Sequence, residues 1–105
     1  MDQRQYVHRL LEAYRTTPGT CGVIRRPDRV LATQLCERGV PLNVVEDALV
    51  LAAVRRMIRP DGAPPLLPVR SLAYFLPVID EVLATDVSAD YYQHVRTKLH
   101  RLTTR

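Results

Sequence analysis

The chain has 105 residues, 47% of them hydrophobic and 25% charged, with a formal net charge of +4. That length suits one domain burying roughly 60 to 70% of its unfolded surface, and the composition excludes a disordered tail, a collagen-like repeat and a disulfide scaffold. The opening Met-Asp-Gln-Arg-Gln carries no apolar targeting segment and the longest apolar run, Ala48 to Val54, is far too short for a bilayer. The expectation is one cytoplasmic domain over residues 1–105 with no membrane association.

From Gln3 to Arg15, Tyr6, Val7, Leu10, Leu11 and Tyr14 recur at helical spacing, which predicts a first helix. Thr16-Thr17-Pro18-Gly19-Thr20 ends it, and a short connector with Cys21, Gly22 and Val23 follows. Arg25-Arg26-Pro27-Asp28 opens a second helix. Pro27 fits its first position, Asp28 complements the positive N-terminal dipole, and Gly39 supplies a left-handed residue after its end. Leu31 and Leu35 mark its buried side. Pro41 opens a third helix whose acids, Glu46 and Asp47, stand near the start and whose arginines, Arg55, Arg56 and Arg59, stand near the end, an order that suits the dipole. Between them Ala48 to Val54 is apolar on every face, which places this helix at the centre of the fold.

The stretch Arg59 to Pro68 holds four prolines and one glycine, so it reads as an extended connector, with Leu66 and Leu67 expected to pin it to the body. Ser71 is expected to cap a fourth helix through about Ala84, with Leu72, Phe75, Leu76, Ile79, Val82 and Leu83 as its apolar stripe and Pro77 bending it. Ser88 is expected to cap a fifth helix through about Leu102, burying Tyr91, Val95, Leu99 and Leu102. No alternating strand pattern, hairpin dipeptide or internal repeat occurs. The fold class is therefore all-α: a compact bundle of about five helices with a proline-rich connector between helices three and four.

Catalytic and metal-binding patterns are missing from the spacing. The four glycines match no phosphate-binding loop, and His8, His94 and His100 lack a second ligand at metal-binding spacing. Cys21 and Cys36 read as reduced thiols. The pairs Glu46-Asp47 and Asp80-Glu81 diverge by about 100° on a helix and read as solvated charges. A binding or assembly role is expected in place of an enzyme, with no cofactor and no metal.

Charge supplies the positive signal. Residues 1–90 contain eleven basic and eleven acidic side chains, so the whole excess lies in the last fifteen residues, with Arg96, Lys98, Arg101 and Arg105. His94, Lys98, Arg101 and Arg105 fall within roughly 60° on a helical wheel, a stripe able to track phosphates. Arg25, Arg26 and Arg29 form a second basic cluster at a helix start, where backbone amides also favour an anion. Tyr74, Tyr91 and Tyr92 could stack on bases, although tyrosine at helical spacing more often serves a core or interface.

Two stretches within Val30 to Leu83 carry a family resemblance. The first, Leu35-Cys36-Glu37-Arg38-Gly39-Val40-Pro41-Leu42-Asn43-Val44-Val45-Glu46-Asp47-Ala48, is a helix end, a glycine, and a long helix opening with paired aliphatics before an alanine. The second, Ser71 to Val82, sets Tyr74 four and five residues before Val78 and Ile79. Together they resemble the C-terminal helical domain of the DnaD family of replication-initiation proteins. Val82 stands where that family often has tryptophan, and Pro77 lies inside the motif. The resemblance implies DNA binding or remodelling and docking to a larger replication or mobile-element complex, with Tyr74, Val78 and Ile79 at the matching positions.

The function expected from these readings is a small DNA-associated accessory or adaptor protein of replication, recombination or mobile-element machinery, bound to DNA mainly through phosphate contacts from the C-terminal basic helix, Arg96, Lys98, Arg101 and Arg105, with Arg25, Arg26 and Arg29 second. The alternative is a protein-only adaptor that forms homo- or hetero-oligomers through apolar helix faces, the all-round apolar third helix and the proline-rich connector supplying the interface, and heavy exposure of Leu49, Val50 or Val54 would favour it.

Overall fold

Residues 1–85 and 89–103 are described by a computed structural model. Ser88, expected to cap the fifth helix, and Arg105 lie outside the described residues. Among the described residues five helices form: α1 Gln3–Thr16, α2 Arg26–Glu37, α3 Leu42–Met57, α4 Leu76–Ala84 and α5 Ala89–Thr103. A 3₁₀ turn, Leu72–Phe75, precedes α4. Among the described residues there is no strand, only an isolated bridge between Thr20 and Val69. None of these helices is long and apolar enough to cross a membrane.

α1 starts at a reciprocal cap. The Asp2 carboxylate accepts the Gln5 backbone N–H at 2.8 Å, and the Gln5 side chain accepts the Asp2 N–H at 3.3 Å. Its buried face is Tyr6, Leu10, Leu11 and Tyr14. The Tyr6 hydroxyl donates to the Val40 carbonyl at 2.7 Å, tying α1 to the turn between α2 and α3.

α2 ends as its glycine predicts. Gly39 adopts φ +75°, the Val40 N–H reaches the Leu35 carbonyl at 3.1 Å, and the Gly39 N–H reaches that of Cys36 at 3.0 Å. These two bonds satisfy carbonyls the helix leaves open and turn the chain sharply into α3. The central helix then buries Leu42, Val45, Ala48, Leu49, Leu51, Ala52, Ala53 and Val54, with α1, α4 and α5 packed around it. Leu49 and Val54 are 2% and 5% exposed and Val50 packs partly buried against the core, so α3 does not show the exposure that would favour the oligomer alternative.

Several expectations are corrected. Leu66 and Leu67 do not pin the connector, being 46% and 82% exposed. Val69 pins it: this side chain is buried, its N–H donates to the Gly19 carbonyl at 2.8 Å, and its carbonyl accepts the Cys21 N–H at 2.9 Å. With proline on both sides of the leucine pair, the connector makes its first backbone-to-backbone bonds to a distant segment only after Pro68. Pro77 does not bend a continuous helix. The segment breaks at Phe75, and Pro77 lies in the first turn of α4, where a missing N–H costs no helical bond. Ser71 caps the 3₁₀ turn, accepting the Ala73 N–H at 3.1 Å.

On α4, Ile79 and Val82 are buried while Leu83 is exposed. On α5 the buried aromatic is Tyr92, with Val95, and Tyr91 is 44% exposed. One residue is 100° of helix, and the wall that α5 covers on α3 selects Tyr92. Both cysteines are free and half-buried.

Candidate nucleic-acid interface

Two carboxylates turn inward, and their burial decides what charge the surface keeps. Asp28 is 2% exposed. Its Oδ2 accepts the Arg25 N–H at 2.9 Å and its Oδ1 accepts the Leu72 N–H at 2.9 Å. It complements the start of α2 as expected, and it also fastens that start to the 3₁₀ turn. Its charge is satisfied by backbone amides, with no guanidinium involved. Asp47 is 9% exposed, so its reading as a solvated charge is overturned: its carboxylate accepts from the Arg96 guanidinium and joins α3 to α5. A carboxylate on the side of α3 that α5 covers must be paired, because an unpaired buried charge costs several kcal/mol. Glu81 likewise does not stand free. It receives a two-pronged contact from Arg55, at 2.7 and 2.5 Å, and that hydrogen bond holds its carboxyl below the usual range.

The C-terminal set Arg96, Lys98, Arg101 and Arg105 is therefore divided. Arg96 faces Asp47 on the inner side, whereas Lys98 and Arg101 are exposed. Arg105 lies outside the described residues. His94 is exposed beside them.

Arg25, Arg26 and Arg29 are all exposed at the opening of α2. Among the described residues no carboxylate comes within ion-pair distance of any of them. The packing of α1 on α2 brings Arg4 and His8 to the same groove as Arg29. That groove encloses about 650 Å³ over a floor of Val7, Leu11 and Ile24. Glu12 also lines it, with its charge directed to Arg15 at 2.7 Å. A second groove on the outer side of α2 carries Arg26 and Arg29 with Thr33, Gln34 and Glu37. Sequence reading did not place Arg4 in this cluster. The available signal was the i, i+4 pair Arg4 and His8 on the half of α1 flanking its buried stripe.

Tyr74 and Val78, two of the positions matched to the family motif, line a separate cleft with Arg55, Arg56 and Arg59, while Ile79 is buried in the core. Tyr74 is 47% exposed and its ring lies 5.4 Å below the Arg56 guanidinium. Tyr92 is core, and Tyr91 meets it edge-on at 5.4 Å. No group of three or more His, Cys, Asp and Glu side chains able to hold a metal ion converges among the described residues. Comparison with protein-family models, characterised proteins and solved structures finds no match to this chain.

Proposed function

We propose that this protein is a small DNA-associated accessory module of replication, recombination or mobile-element machinery, holding nucleic acid mainly through phosphates. The observation that carries the reading is the exposed arginine face on α2, which has no ion-pair partner among the described residues. Asp28, the only carboxylate in the sequence next to Arg25, Arg26 and Arg29, is buried on backbone amides, and α1 brings Arg4 into one groove with Arg29. Arginine offers five donors in a planar fork that matches phosphate oxygens. Lys98 and Arg101 on α5 form the second contact. The resemblance to the DnaD C-terminal domain points to the same class of ligand, and docking to a larger protein complex belongs to the same reading.

The test is anisotropy of labelled single- and double-stranded DNA at low and moderate salt. Wild-type protein is expected to bind with a log–log salt slope of about −3, one unit for each of roughly three phosphates neutralised. Replacing Arg25, Arg26 and Arg29 together by alanine is expected to weaken binding at least about tenfold and flatten that slope. No binding by the wild type at low salt would sink the proposal.

A further inference from the structure

A second basic site lies away from the α1–α2 grooves, where the proline-rich connector folds back on the end of α3. Arg55, Arg56 and Arg59 rim a cleft of about 320 Å³ whose remaining wall includes Leu66, Tyr74 and Val78. In the sequence these arginines read as compensation for the helix dipole, a role that requires no convergence on an aromatic ring.

The way they are held sets the charge of the cleft. Arg56 donates to the Leu67 carbonyl at 2.7 Å and to the Tyr74 hydroxyl at 3.1 Å. Arg59 donates to the Pro64 carbonyl. These acceptors are neutral, so they fix both guanidiniums in direction without cancelling their charge, and each retains unused N–H donors. Only Arg55 meets a carboxylate, that of Glu81, and no carboxylate side chain lines the cleft among the described residues. The apolar wall is equally available. Leu66 and Tyr74 are 46% and 47% exposed, and Leu67 at the lip is 82% exposed.

We infer that this cleft docks an acidic peptide segment of a partner protein, one apolar side chain seated between Leu66, Tyr74 and Val78 and its flanking carboxylates on Arg56 and Arg59. Charge complementarity selects the class of partner: fixed, uncancelled guanidiniums favour carboxylates in two-pronged contacts. Volume selects the mode, since the space is at the small end of ligand sites and admits a side chain or two. A sugar–phosphate strand would leave the exposed leucines without a partner.

The experiment is anisotropy of a fluorescein-labelled acidic nonapeptide, with four aspartates around a leucine–phenylalanine pair, titrated with the full chain. Saturable binding is expected. It should fall about tenfold or more in Arg59→Ala and in Leu66→Asp, a loss of about 1.4 kcal/mol. It should fall similarly when the peptide's apolar pair becomes alanine, and stay unchanged in the Arg26→Ala, Arg29→Ala double variant, which tests the other face. Leu66 is half in solvent, so its variant keeps the core intact, and a thermal melt checks Arg59→Ala. No wild-type binding at about 1 mM peptide, or equal binding by every variant, overturns the inference. So does displacement of the peptide by oligothymidylate with Arg59→Ala losing both ligands, which would make the cleft a nucleic-acid contact.

Discussion

The Asp28 carboxylate receives backbone N–H groups from two elements far apart in sequence, so its removal leaves two donors without partners, one of them buried. Asp28→Ala is expected to destabilise the protein by about 2 to 4 kcal/mol, since hydrogen bonds to a charged acceptor are worth more than neutral ones and the orphaned Leu72 amide keeps its desolvation cost. Urea unfolding checks this, and a change under about 1 kcal/mol would show that water reaches the site. Tyr14 presents the opposite case. It is fully buried, packs edge-on against Phe75 at 6.0 Å, and its hydroxyl has no hydrogen-bond partner among the described residues. Tyr14→Phe is expected to be neutral or stabilising at pH 7, because it removes an unsatisfied polar atom and keeps the ring. Burial pushes the Tyr14 hydroxyl up to about 12, with the Asp28 charge adding to the shift, and burial pushes Tyr6 up to about 12 as well. For both groups the neutral form is favoured on folding. Their contribution is complete below the unfolded tyrosine value near 10 and is lost as pH rises through the folded value of about 12. Alkaline unfolding is therefore expected between about pH 10 and 12, and Tyr14→Phe should shift its midpoint upward by circular dichroism. An unshifted midpoint would place the linkage elsewhere.

At the scale of elements, the helices were legible because each carries its own boundary chemistry: the apolar period of α1, proline inside α2, Gly39 after it, and the apolar run that makes α3 central. What failed depended on contacts between elements. The leucines of the connector looked like anchors, yet the anchoring residue is Val69, and only the position of Gly19 and Cys21 beside it explains why. Tyr91 and Tyr92 differ by one residue, and the choice between them rests on the face α3 offers. Pro77 was legible as a disruption, but its position relative to the break at Phe75 was not. Pro77→Ala follows from that position: in the first turn of α4 the proline removes no helical hydrogen bond, so the change should alter stability by less than about 0.5 kcal/mol. Relief of a bend inside one long helix would instead stabilise by about 3 kcal/mol. Thermal melts separate the two outcomes.

For the whole molecule, composition located the charge excess at the C-terminus because a count treats every carboxylate as exposed. Folding changes the distribution: Asp47 takes Arg96 inward, and with Asp28 held by backbone amides the arginines of α2 have no ion-pair partner among the described residues. The cluster Arg25, Arg26 and Arg29 was therefore visible in the sequence, whereas its joining by Arg4 was not, since Arg4 and Arg29 meet only through the packing of α1 on α2. If the α2 face is the main DNA contact, single charge reversals should rank by face. Arg29→Glu keeps α2 intact, because an acid near a helix start complements its dipole, and should weaken DNA binding by more than about tenfold at low salt. Arg101→Glu adds an acid near the end of α5, where it opposes the dipole, so its fold is checked by circular dichroism before its smaller binding loss is read. Each lost phosphate contact should also reduce the salt slope by about one, an effect that general unfolding would not produce. The reverse ranking, with Arg101→Glu abolishing binding and Arg29→Glu leaving it intact, would move the contact to α5, where the exposed Lys98 and Arg101 would have to act without Arg96.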